Sequence, residues 1–384
     1  MSLLRPNIEQ MAGYQPGEQP REAGFIKLNT NENPYPPSPR VIDALRRNIN
    51  ETLRLYPDPM ATAVREKAAG TYGFRPEQIL VGNGSDDLLT IIMRAFVAPG
   101  EVVAYPMPSY TLYRTLAQIQ DARAVEVPFP HDYSLPAGLR QTAAKVVFLA
   151  NPNSPSGTVI PPSEVAALAD ALVGILVVDE AYVDFAEADA LHLARERQNV
   201  IVLRTFSKSF SLCGLRVGLA FGHADLIAGM AKVKDSYNVN RLGIVAAVAA
   251  LDDIEHMRAN AEKIRQTRAR LTRELERLGA YVWPSQANFV LARFPAGEGR
   301  PTAAEIYARL KERRILVRHF NQPRLEDCLR ISVGSDREVD ILLERLWEIW
   351  QPAAGSLHQS DNSRTRQDIS PPSNMEATHK WSEP

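Results

Sequence analysis

The sequence Thr205-Phe206-Ser207-Lys208-Ser209-Phe210-Ser211-Leu212-Cys213-Gly214-Leu215-Arg216 places one lysine next to a serine and eight residues before an arginine. A solvated lysine amine titrates near ~10.4 and is a poor nucleophile at neutral pH. Condensation with an aldehyde changes this, and an aldehyde that also carries a phosphate needs hydroxyl and guanidinium donors nearby. Ser207, Lys208 and Arg216 are therefore candidates for a Schiff-base site. The alternative is a solvated lysine in a serine-rich loop.

The residues before this segment predict where it lies in the fold. Val200-Ile201-Val202-Leu203 is short, apolar and rich in β-branched residues, which is typical of a buried parallel strand. Ligands of open α/β sheets bind beyond the carboxyl ends of such strands. We therefore expect Lys208 at the edge of the sheet where ligands bind.

Composition limits the classes of protein that need to be considered. The chain has 384 residues, 45% of them hydrophobic and 23% charged, as in a globular enzyme large enough for two cores. A formal net charge of −1 gives no basic field for nucleic acid. The two cysteines, Cys213 and Cys328, cannot build a disulfide framework, and no signal peptide or long apolar run is visible. We expect a soluble, cytoplasmic protein that binds neither nucleic acid nor membrane.

The order of apolar and polar segments predicts the architecture. Short apolar runs, mostly separated by segments of helical periodicity, predict an α/β fold whose large domain has a mostly parallel, doubly wound sheet with flanking helices. The charged amphipathic segment 252–278 predicts a long helix. More strand candidates with helices between them then predict a smaller α+β domain. The strand candidates are 79–81, 102–105, 146–150, 175–178, 200–203 and 217–221 in the large domain, and 288–294, 315–318 and 329–333 in the small one.

These patterns divide the chain into four parts. Residues 1–38 are an N-terminal arm, 39–250 the large domain and 251–351 the small domain. The last helix of the small domain has its own start signal, because Ser335-Asp336-Arg337-Glu338 fits a capping box. Residues 352–384 have almost no aliphatic side chains and are predicted to form a disordered tail.

A carboxylate ends another apolar strand pattern. Ile175-Leu176-Val177-Val178-Asp179-Glu180-Ala181-Tyr182 places Asp179 at the end of a strand, where it would point into the crevice. An ionised acid beside a pyridine nitrogen keeps that nitrogen protonated and makes the ring an electron sink. Tyr182 would then hydrogen-bond the ring oxygen. The alternative is that Asp179 caps a helix or lies on the surface.

A glycine-containing turn follows the first strand candidate. Val81-Gly82-Asn83-Gly84-Ser85-Asp86-Asp87 precedes an apolar pattern of helical spacing. The N-terminus of a helix presents free backbone N–H groups and positive dipole, which suits a phosphate. The alternative is an ordinary capped turn. The candidate phosphate-binding residues are Gly84, Ser85 and Asp86.

Two further loops follow strand candidates. Tyr105-Pro106-Met107-Pro108-Ser109-Tyr110 ends in a ring that would either stack on a planar cofactor or pack in the core. Asn151-Pro152-Asn153-Ser154-Pro155-Ser156-Gly157 is rich in turn formers and predicts an ordered loop.

In this order, the Gly-Ser-Asp turn, the Asn-Pro loop, the Asp-Glu-Ala-Tyr strand end and the Ser-Lys…Gly-Leu-Arg segment resemble the fold-type I, pyridoxal-phosphate-dependent class I/II aminotransferases. Further segments resemble the histidinol-phosphate branch of that family, so the resemblance extends from Tyr14 to Gly334. These segments are Tyr14-Gln15-Pro16-Gly17, Leu28-Asn29-Thr30-Asn31-Glu32-Asn33-Pro34, Arg54-Leu55-Tyr56-Pro57, Ile315-Leu316-Val317-Arg318-His319-Phe320 and Cys328-Leu329-Arg330-Ile331-Ser332-Val333-Gly334.

The resemblance implies pyridoxal 5'-phosphate as cofactor and a role for each matching residue. Lys208 would bind the aldehyde, Asp179 would pair with the ring nitrogen, Tyr182 would reach the ring oxygen and Tyr110 would stack. The protein would be a homodimer in which Tyr56 reaches the phosphate in the neighbouring subunit. The other phosphate contacts would be Gly84, Ser85, Asp86, Ser207 and Arg216, and no metal ligands are assigned.

The resemblance also implies the substrates, which are histidinol phosphate with 2-oxoglutarate or glutamate, a reaction of histidine biosynthesis. All of these are anions, and a guanidinium group binds phosphate or carboxylate in bidentate geometry. Arg330 would bind the substrate anion from a half-buried strand, although a surface salt bridge is the alternative. Arg318, Tyr14 and Asn31 would add contacts, and the arm over 1–38 would cover the substrate.

One position departs from the family pattern. The family has asparagine directly before Pro-Thr-Gly, where it donates to the ring oxygen, and this chain has Ser154 there with Asn153 just before it. A serine hydroxyl can donate, but it reaches less far. Either residue would serve, so both remain candidates for the ring-oxygen contact.

Three alternative functions fit parts of the pattern. A decarboxylase of the same fold, acting on an amino-acid phosphate, would use the same Lys208 and Asp179. An aromatic or broad-range aminotransferase would differ only in the side chain that it accepts. A ligand-sensing domain of a transcription regulator would need a DNA-binding helix-turn-helix, for which the residues before Phe25 leave no room.

Overall fold

The structure is a computed structural model that describes residues 2–14, 17–295, 297 and 299–350. The predicted tail over 352–384 lies outside these residues. The strands are β1 (Ile26–Lys27), β2 (Ile79–Gly82), β3 (Val102–Met107), β4 (Arg123–Pro128), β5 (Val146–Ala150), β6 (Ile175–Asp179), β7 (Val200–Thr205), β8 (Gly218–Gly222), β9 (Tyr281–Val282), β10 (Phe289–Arg293), β11 (Ile315–Leu316), β12 (Arg318–His319) and β13 (Cys328–Ser332). The α-helices are α1 (Pro6–Gln10), α2 (Pro39–Asn48), α3 (Thr62–Tyr72), α4 (Ser85–Phe96), α5 (Leu112–Ile119), α6 (Pro162–Ala171), α7 (Leu193–Glu196), α8 (Ala224–Ala231), α9 (Arg241–Leu251), α10 (Ile254–Arg277), α11 (Ala303–Glu312) and α12 (Asp336–Trp350).

The large sheet has seven strands in the order β2-β8-β7-β6-β5-β3-β4. Strands β3 to β7 run parallel to their neighbours within this group, and β8 pairs antiparallel with both β7 and β2. The predicted mostly parallel sheet is confirmed. All six strand candidates of the large domain are strands, and their carboxyl ends in β3, β5, β6 and β7 meet at one edge.

The central strands are apolar along their whole length because both faces of the sheet are covered. Val147 and Leu149 of β5 pack in one core, while Val146 and Phe148 pack in the core on the opposite face. Helices on both faces supply the facing side chains, as the doubly wound pattern predicts. A strand buried on both faces cannot slide by one residue without losing contacts, so the sheet fixes the residues at its edge.

The sequence patterns missed strands β1, β4 and β9 and helix α1. Strand β4 lies at the edge of the sheet and is partly exposed, so Arg123 and Glu126 replace the apolar run that buried strands show. Helix α1 has five residues and no buried side chain, so it has no periodicity to detect. It is held instead by Asn7, whose Nδ2 donates to the Gln118 carbonyl at 2.8 Å near the end of α5.

The small domain contains an antiparallel sheet in the order β12-β13-β10-β9, reached through the long helix α10. The predicted capping box is confirmed at the start of α12. There, Ser335 Oγ accepts from the Glu338 amide at 3.4 Å and the Glu338 carboxylate accepts from the Ser335 amide at 2.8 Å. The apolar side chains of α12 are buried in one core with side chains of this sheet. The predicted strand 315–318 is instead split into β11, which pairs with β1, and β12.

None of the helices among the described residues combines the length and the apolar character needed to cross a membrane.

Candidate functional site

A cavity of about 890 Å³ opens at the carboxyl ends of the parallel strands, between the two domains and beneath part of the N-terminal arm. Most of the predicted site residues lie around it although they come from segments far apart in the chain. These residues are Tyr14, Asn31, Ser85, Asp86, Tyr110, Ser154, Asp179, Tyr182, Ser207, Lys208, Arg216, Arg318 and Arg330. Gly84, Asn153 and Tyr56 do not line the cavity.

Lys208 follows β7 and directs its amine into the cavity. Its Nζ donates a long hydrogen bond of 3.4 Å to the Thr30 carbonyl and lies 5.5 Å from the centre of the Tyr182 ring. Neither contact is an ion pair, so the amine is not neutralised by a carboxylate partner in these contacts. The lysine is therefore placed to react with a group in the cavity rather than to serve as half of a salt bridge.

Asp179 is the last residue of β6 and is 5% exposed. Its Oδ2 accepts from the Tyr113 hydroxyl at 2.9 Å, and its Oδ1 accepts from the Ala181 amide at 3.2 Å. Burial raises the pKa of Asp179 to about 6, with the Asp86 charge adding to the rise and the two donors and Lys208 opposing it. The carboxylate is thus ionised at neutral pH yet poorly solvated, which suits it to pair with a cation in the cavity.

One end of the cavity, at the start of α4, has the groups needed to bind an anion. Helix α4 begins at Ser85 without a side-chain cap, so the backbone N–H groups of its first turn are directed towards this end. Arg216 Nη1 donates to Ser207 Oγ at 3.2 Å, and its Nη2 donates to Asp86 Oδ2 at 3.2 Å. Hydroxyl, guanidinium and helix N-terminus together form the donor set that a phosphate needs.

Gly84 does not line the cavity, but a glycine is required at this position for a steric reason. It has a φ of 85°, and a Cβ there would collide with the Arg216 guanidinium. Any other residue would push Arg216 away from Ser207. The glycine therefore contributes to the anion-binding end by letting the arginine approach the backbone.

Two tyrosines form the walls between the ends of the cavity. The Tyr110 hydroxyl donates to Asp86 Oδ1 at 3.1 Å, and burial together with the Asp86 charge raises the pKa of Tyr110 well above its usual value. The Tyr182 hydroxyl accepts from Asn31 Nδ2 at 3.0 Å, which leaves its own proton available to a ligand. Asn31, with a φ of 55°, is itself held by Ser332 of β13.

The structure distinguishes the two candidates in the Asn-Pro loop. Asn153 uses both ends of its amide within the protein, since Oδ1 accepts from Ser109 at 2.8 Å and Nδ2 donates to Ser156 Oγ at 2.9 Å. Ser154 lines the cavity, and its Oγ accepts from Arg330 Nη1 at 3.1 Å. The Ser154 hydroxyl proton is therefore available to a ligand, whereas the amide of Asn153 is occupied.

Arg330 projects from β13 into the cavity from the small domain. Besides Ser154, its guanidinium donates to the Asn29 carbonyl at 2.9 Å, and its buried Nε has no hydrogen-bond partner among the described residues. The group lies 5.3 Å from the Phe289 ring centre and 5.6 Å from that of Phe320. Burial lowers its pKa, but a guanidinium stays charged. A desolvated cation with unused donor capacity in a cavity is a natural partner for an anion.

Tyr56 lies outside the cavity on an exposed apolar patch. Its side chain is 77% exposed and stacks on Tyr237 with ring centres 4.4 Å apart. Ile49, Leu53 and Leu55 are exposed beside it in the sequence. Clustered exposed apolar side chains of this kind are typical of an interface.

Sequence reasoning missed Tyr113, the hydroxyl donor to Asp179. Its only signal was its position three residues after Tyr110 on the start of α5, and this spacing equally fits a core residue. Among the described residues, no group of three or more His, Cys, Asp and Glu side chains could hold a metal ion.

The donor set fits one chemical class of cofactor. A primary amine, a buried carboxylate and an anion-binding end surround a single cavity, in the pattern that a phosphorylated pyridine aldehyde requires. The carboxylate ends β6, whereas the anion-binding groups come from the residues after β7 and from the start of α4, so the two sets are supplied by separate elements. The residues present therefore fit such a group without rearrangement of the strands.

Comparisons with known proteins agree with this geometry. The model of the family "Aminotransferase class I and II" matches residues 23–346. Histidinol-phosphate aminotransferase 1 of Trichormus variabilis is 47% identical over 350 residues, which cover 91% of this chain and 99% of that protein. The histidinol-phosphate aminotransferase of Geobacter sp. is 47% identical over 351 residues, with the same coverage of both. The crystal structure of histidinol-phosphate aminotransferase from Sinorhizobium meliloti in complex with pyridoxal-5'-phosphate has a TM-score of 0.82 and 30% identity, covering 91% of this chain and 98% of that one. This chain belongs to the class I and II aminotransferase family.

Proposed function

We propose that this protein is a pyridoxal-phosphate-dependent transaminase that converts histidinol phosphate and 2-oxoglutarate to imidazole-acetol phosphate and glutamate. The observation that carries the proposal is the common cavity of the Lys208 amine, the buried Asp179 carboxylate and the Arg330 guanidinium. The relatives named for the same reaction, at 47% identity over nearly their whole length, support the choice of substrate.

When bound, pyridoxal phosphate supplies an aldehyde that takes up the amino group and a ring that accepts electrons from the substrate α-carbon. Lys208 Nζ removes the proton from that carbon and acts as acid in the return step. Asp179 would hold a proton on the ring nitrogen, because the charge of the carboxylate favours the protonated form. Ser207 and Arg216 would hold the phosphate together with the first turn of α4, and Tyr110 would pack against the ring.

Both substrates present anions to the small-domain side of the cavity. Arg330 has an unused Nε donor there, and Arg318 lines the same wall. Tyr14 comes from the N-terminal arm, and its ring centre lies 6.1 Å from that of Tyr110. It therefore contributes to the cover of the cavity. We assign Arg330 to the anion shared by donor and acceptor, and Arg318, Tyr14 and Asn31 to further contacts with histidinol phosphate.

The experiment that tests the function is a glutamate-formation assay on cofactor-loaded protein with histidinol phosphate and 2-oxoglutarate. We expect glutamate to form at a kcat within the ordinary range of about 1 to 10³ s⁻¹. The kcat/KM for histidinol phosphate should exceed that for phenylalanine and tyrosine, because its phosphate has more charge and more acceptor oxygens for the arginines than the carboxylate of those two amino acids. Loaded protein that forms no glutamate, or that releases carbon dioxide without 2-oxoglutarate, would contradict the proposal.

We also propose a homodimer in which Tyr56 crosses to the cofactor phosphate of the partner. Support comes from an apolar patch that the described residues of one chain leave exposed to solvent. It consists of Ile49, Leu53, Leu55, Tyr56 and Tyr237. Tyr56→Phe should weaken pyridoxal phosphate binding by roughly 10-fold, the loss of one charge-assisted hydrogen bond. Spectroscopic titration measures this affinity, and Tyr281→Phe, another exposed tyrosine, is the control. A scattering mass of one 42.7 kDa chain, or unchanged affinity, would contradict the proposal.

Ser154, rather than Asn153, is assigned to the cofactor ring oxygen. Ser154→Ala should shift the absorbance of the bound cofactor and lower kcat by roughly 10-fold, since one hydrogen bond to a charged group is lost. Asn153→Ala should leave that absorbance near its original position and lower the melting temperature instead, because it removes the bond to Ser156 in the same loop and the bond to Ser109 in another loop. Absorbance spectra and thermal unfolding of the two loaded variants distinguish the roles. The reverse pattern would assign the contact to Asn153.

A further inference from the structure

We propose that Tyr113 is a positioning residue that keeps the Asp179 carboxylate ionised and aimed at the cofactor ring nitrogen. The inference rests on the proposed function, because it needs a pyridine ring in the cavity. It concerns a residue of α5 that the sequence patterns did not single out. Tyr113 does not line the cavity, so it acts on the chemistry only through Asp179.

The hydrogen bond between the two residues is buried and its geometry is fixed. Tyr113 is fully buried, and its hydroxyl donates to Asp179 Oδ2 at 2.9 Å. The Ala181 amide donates to the other oxygen at 3.2 Å. With one donor on each oxygen, the carboxylate cannot rotate about its Cβ–Cγ bond without losing both bonds.

The Tyr113 ring itself is held from two sides. It stacks on Phe148 of β5 with ring centres 4.9 Å apart and planes 6° from parallel. Tyr110 meets it edge-on at 5.6 Å and 86°. The hydroxyl therefore has a single direction in which to point, and the sheet, through β5 and β6, sets the distance to Asp179.

The charges around Asp179 explain why this donor matters. Burial and the Asp86 charge favour the protonated acid, whereas Tyr113, the Ala181 amide and Lys208 favour the carboxylate. Lys208 acts on Asp179 through its charge, whereas Tyr113 is the side chain that donates a hydrogen bond to it. Without its hydroxyl, the proton shared by Asp179 and the ring nitrogen should move towards Asp179. A neutral ring nitrogen is a weaker electron sink, so the reaction should slow.

The test compares Tyr113→Phe with Tyr105→Phe. Tyr105 is equally buried in the same aromatic cluster, with its ring centre 5.8 Å from that of Tyr113. It borders the cavity, but its hydroxyl donates to the Glu126 carboxylate, at 2.9 Å, rather than to Asp179. Both variants delete one buried hydroxyl and keep the ring, so they should lose similar stability. Only Tyr113→Phe should alter the cofactor.

The measurement uses variants loaded with pyridoxal phosphate labelled with ¹⁵N in the ring. In Tyr113→Phe, the ¹⁵N resonance should move towards the position of a neutral pyridine, and kcat should fall by roughly 10 to 100-fold at nearly unchanged KM for glutamate. Tyr105→Phe should resemble the original protein in both readouts. An unshifted ¹⁵N resonance in an active Tyr113→Phe enzyme would overturn the inference and leave the transaminase function intact.

A second variant covers the case in which Tyr113→Phe does not fold. Phe148→Leu keeps the Tyr113 hydroxyl but removes the ring on which Tyr113 stacks, so the ring-nitrogen resonance should move part of the way towards that of a neutral pyridine. An unshifted resonance in a folded, loaded Phe148→Leu protein would count against Tyr113 as the donor that matters. If neither the original protein nor the variants bind the cofactor, the proposed function itself is refuted.

Discussion

Replacing Lys208 by alanine should abolish transamination, with kcat lowered by about 10⁴-fold, the upper end of what a general acid–base group contributes. The physical reason is that no other amine in the described part of the cavity wall can replace it: the remaining basic residues that line it are arginines, which keep their proton. The variant should still bind pyridoxal phosphate, because Ser207, Arg216 and the first turn of α4 are unchanged. Loss of turnover with retained binding is the expected signature.

Two measurements check this prediction. Glutamate formation reports turnover, and mass spectrometry after borohydride reduction reports whether the cofactor is attached to the chain. The original protein should gain one cofactor mass on the peptide that contains Lys208, and the Lys208→Ala protein should gain none. Lys232→Ala, at the exposed end of α8, is the matched control and should behave like the original protein. Normal turnover in Lys208→Ala would end the proposed mechanism.

The site could be predicted from sequence wherever a chemical group directly follows a buried strand. Asp179, Lys208 and the loop containing Ser154 each follow an apolar run, and the parallel sheet brings the ends of those runs to one edge. Strand order did not have to be known, because every parallel strand in the sheet ends on the same side. The sequence therefore predicts the residues of the edge better than their distances from one another.

Contacts between side chains could not be predicted in the same way. The orientation of Asn153 and Ser154 depends on which carbonyls and hydroxyls the folded loop places nearby, and Ser109 comes from a different loop. Tyr113 has the same apolar environment as a core residue, and only its distance to Asp179 gives it a chemical role. Strand β4 was missed for a related reason, because an exposed edge strand has no need of an apolar run.

A buried ion pair next to the site carries the second large prediction. Arg204 of β7 is 8% exposed and donates through Nε and Nη2 to Glu180 Oε2 at 3.1 and 3.0 Å, while Glu180 is 1% exposed. Burial opposes both charges. It raises the pKa of Glu180 to about 7 and opposes the charge on Arg204, but the negative groups around Arg204, Glu180 first among them, together outweigh burial and raise the pKa of Arg204. Neither residue lines the cavity, so the pair affects stability rather than chemistry.

Arg204→Met should destabilise the fold by about 3–5 kcal/mol, because it leaves the Glu180 carboxylate buried without its cation. The double variant Arg204→Met with Glu180→Met should be much less destabilised, since it removes both charges and keeps apolar volume.

The stabilities of the single and the double variant should also depend differently on pH. A carboxyl whose pKa is higher in the folded state than in the unfolded state stabilises most below its unfolded pKa, near ~4.3, and loses that contribution as pH rises through its folded pKa. Removing Arg204 raises the folded pKa of Glu180 further, so the single variant should lose stability between pH 5 and pH 8 while the double variant should not.

Thermal unfolding of cofactor-saturated protein at these two pH values measures both effects. A loss of 3–5 kcal/mol corresponds to a melting temperature lowered by roughly 6–20 °C in a domain of this size. Saturating cofactor is needed because ligand binding itself raises the melting temperature. If the single and double variants melt together at both pH values, the Glu180 carboxylate is not held in its buried position by Arg204, and Asp189, whose carboxylate lies 3.0 Å from Arg204 Nη2, would be the partner that matters. The predicted outcome is a difference that widens from pH 5 to pH 8, because only the single variant retains a carboxyl that must lose its proton inside the fold.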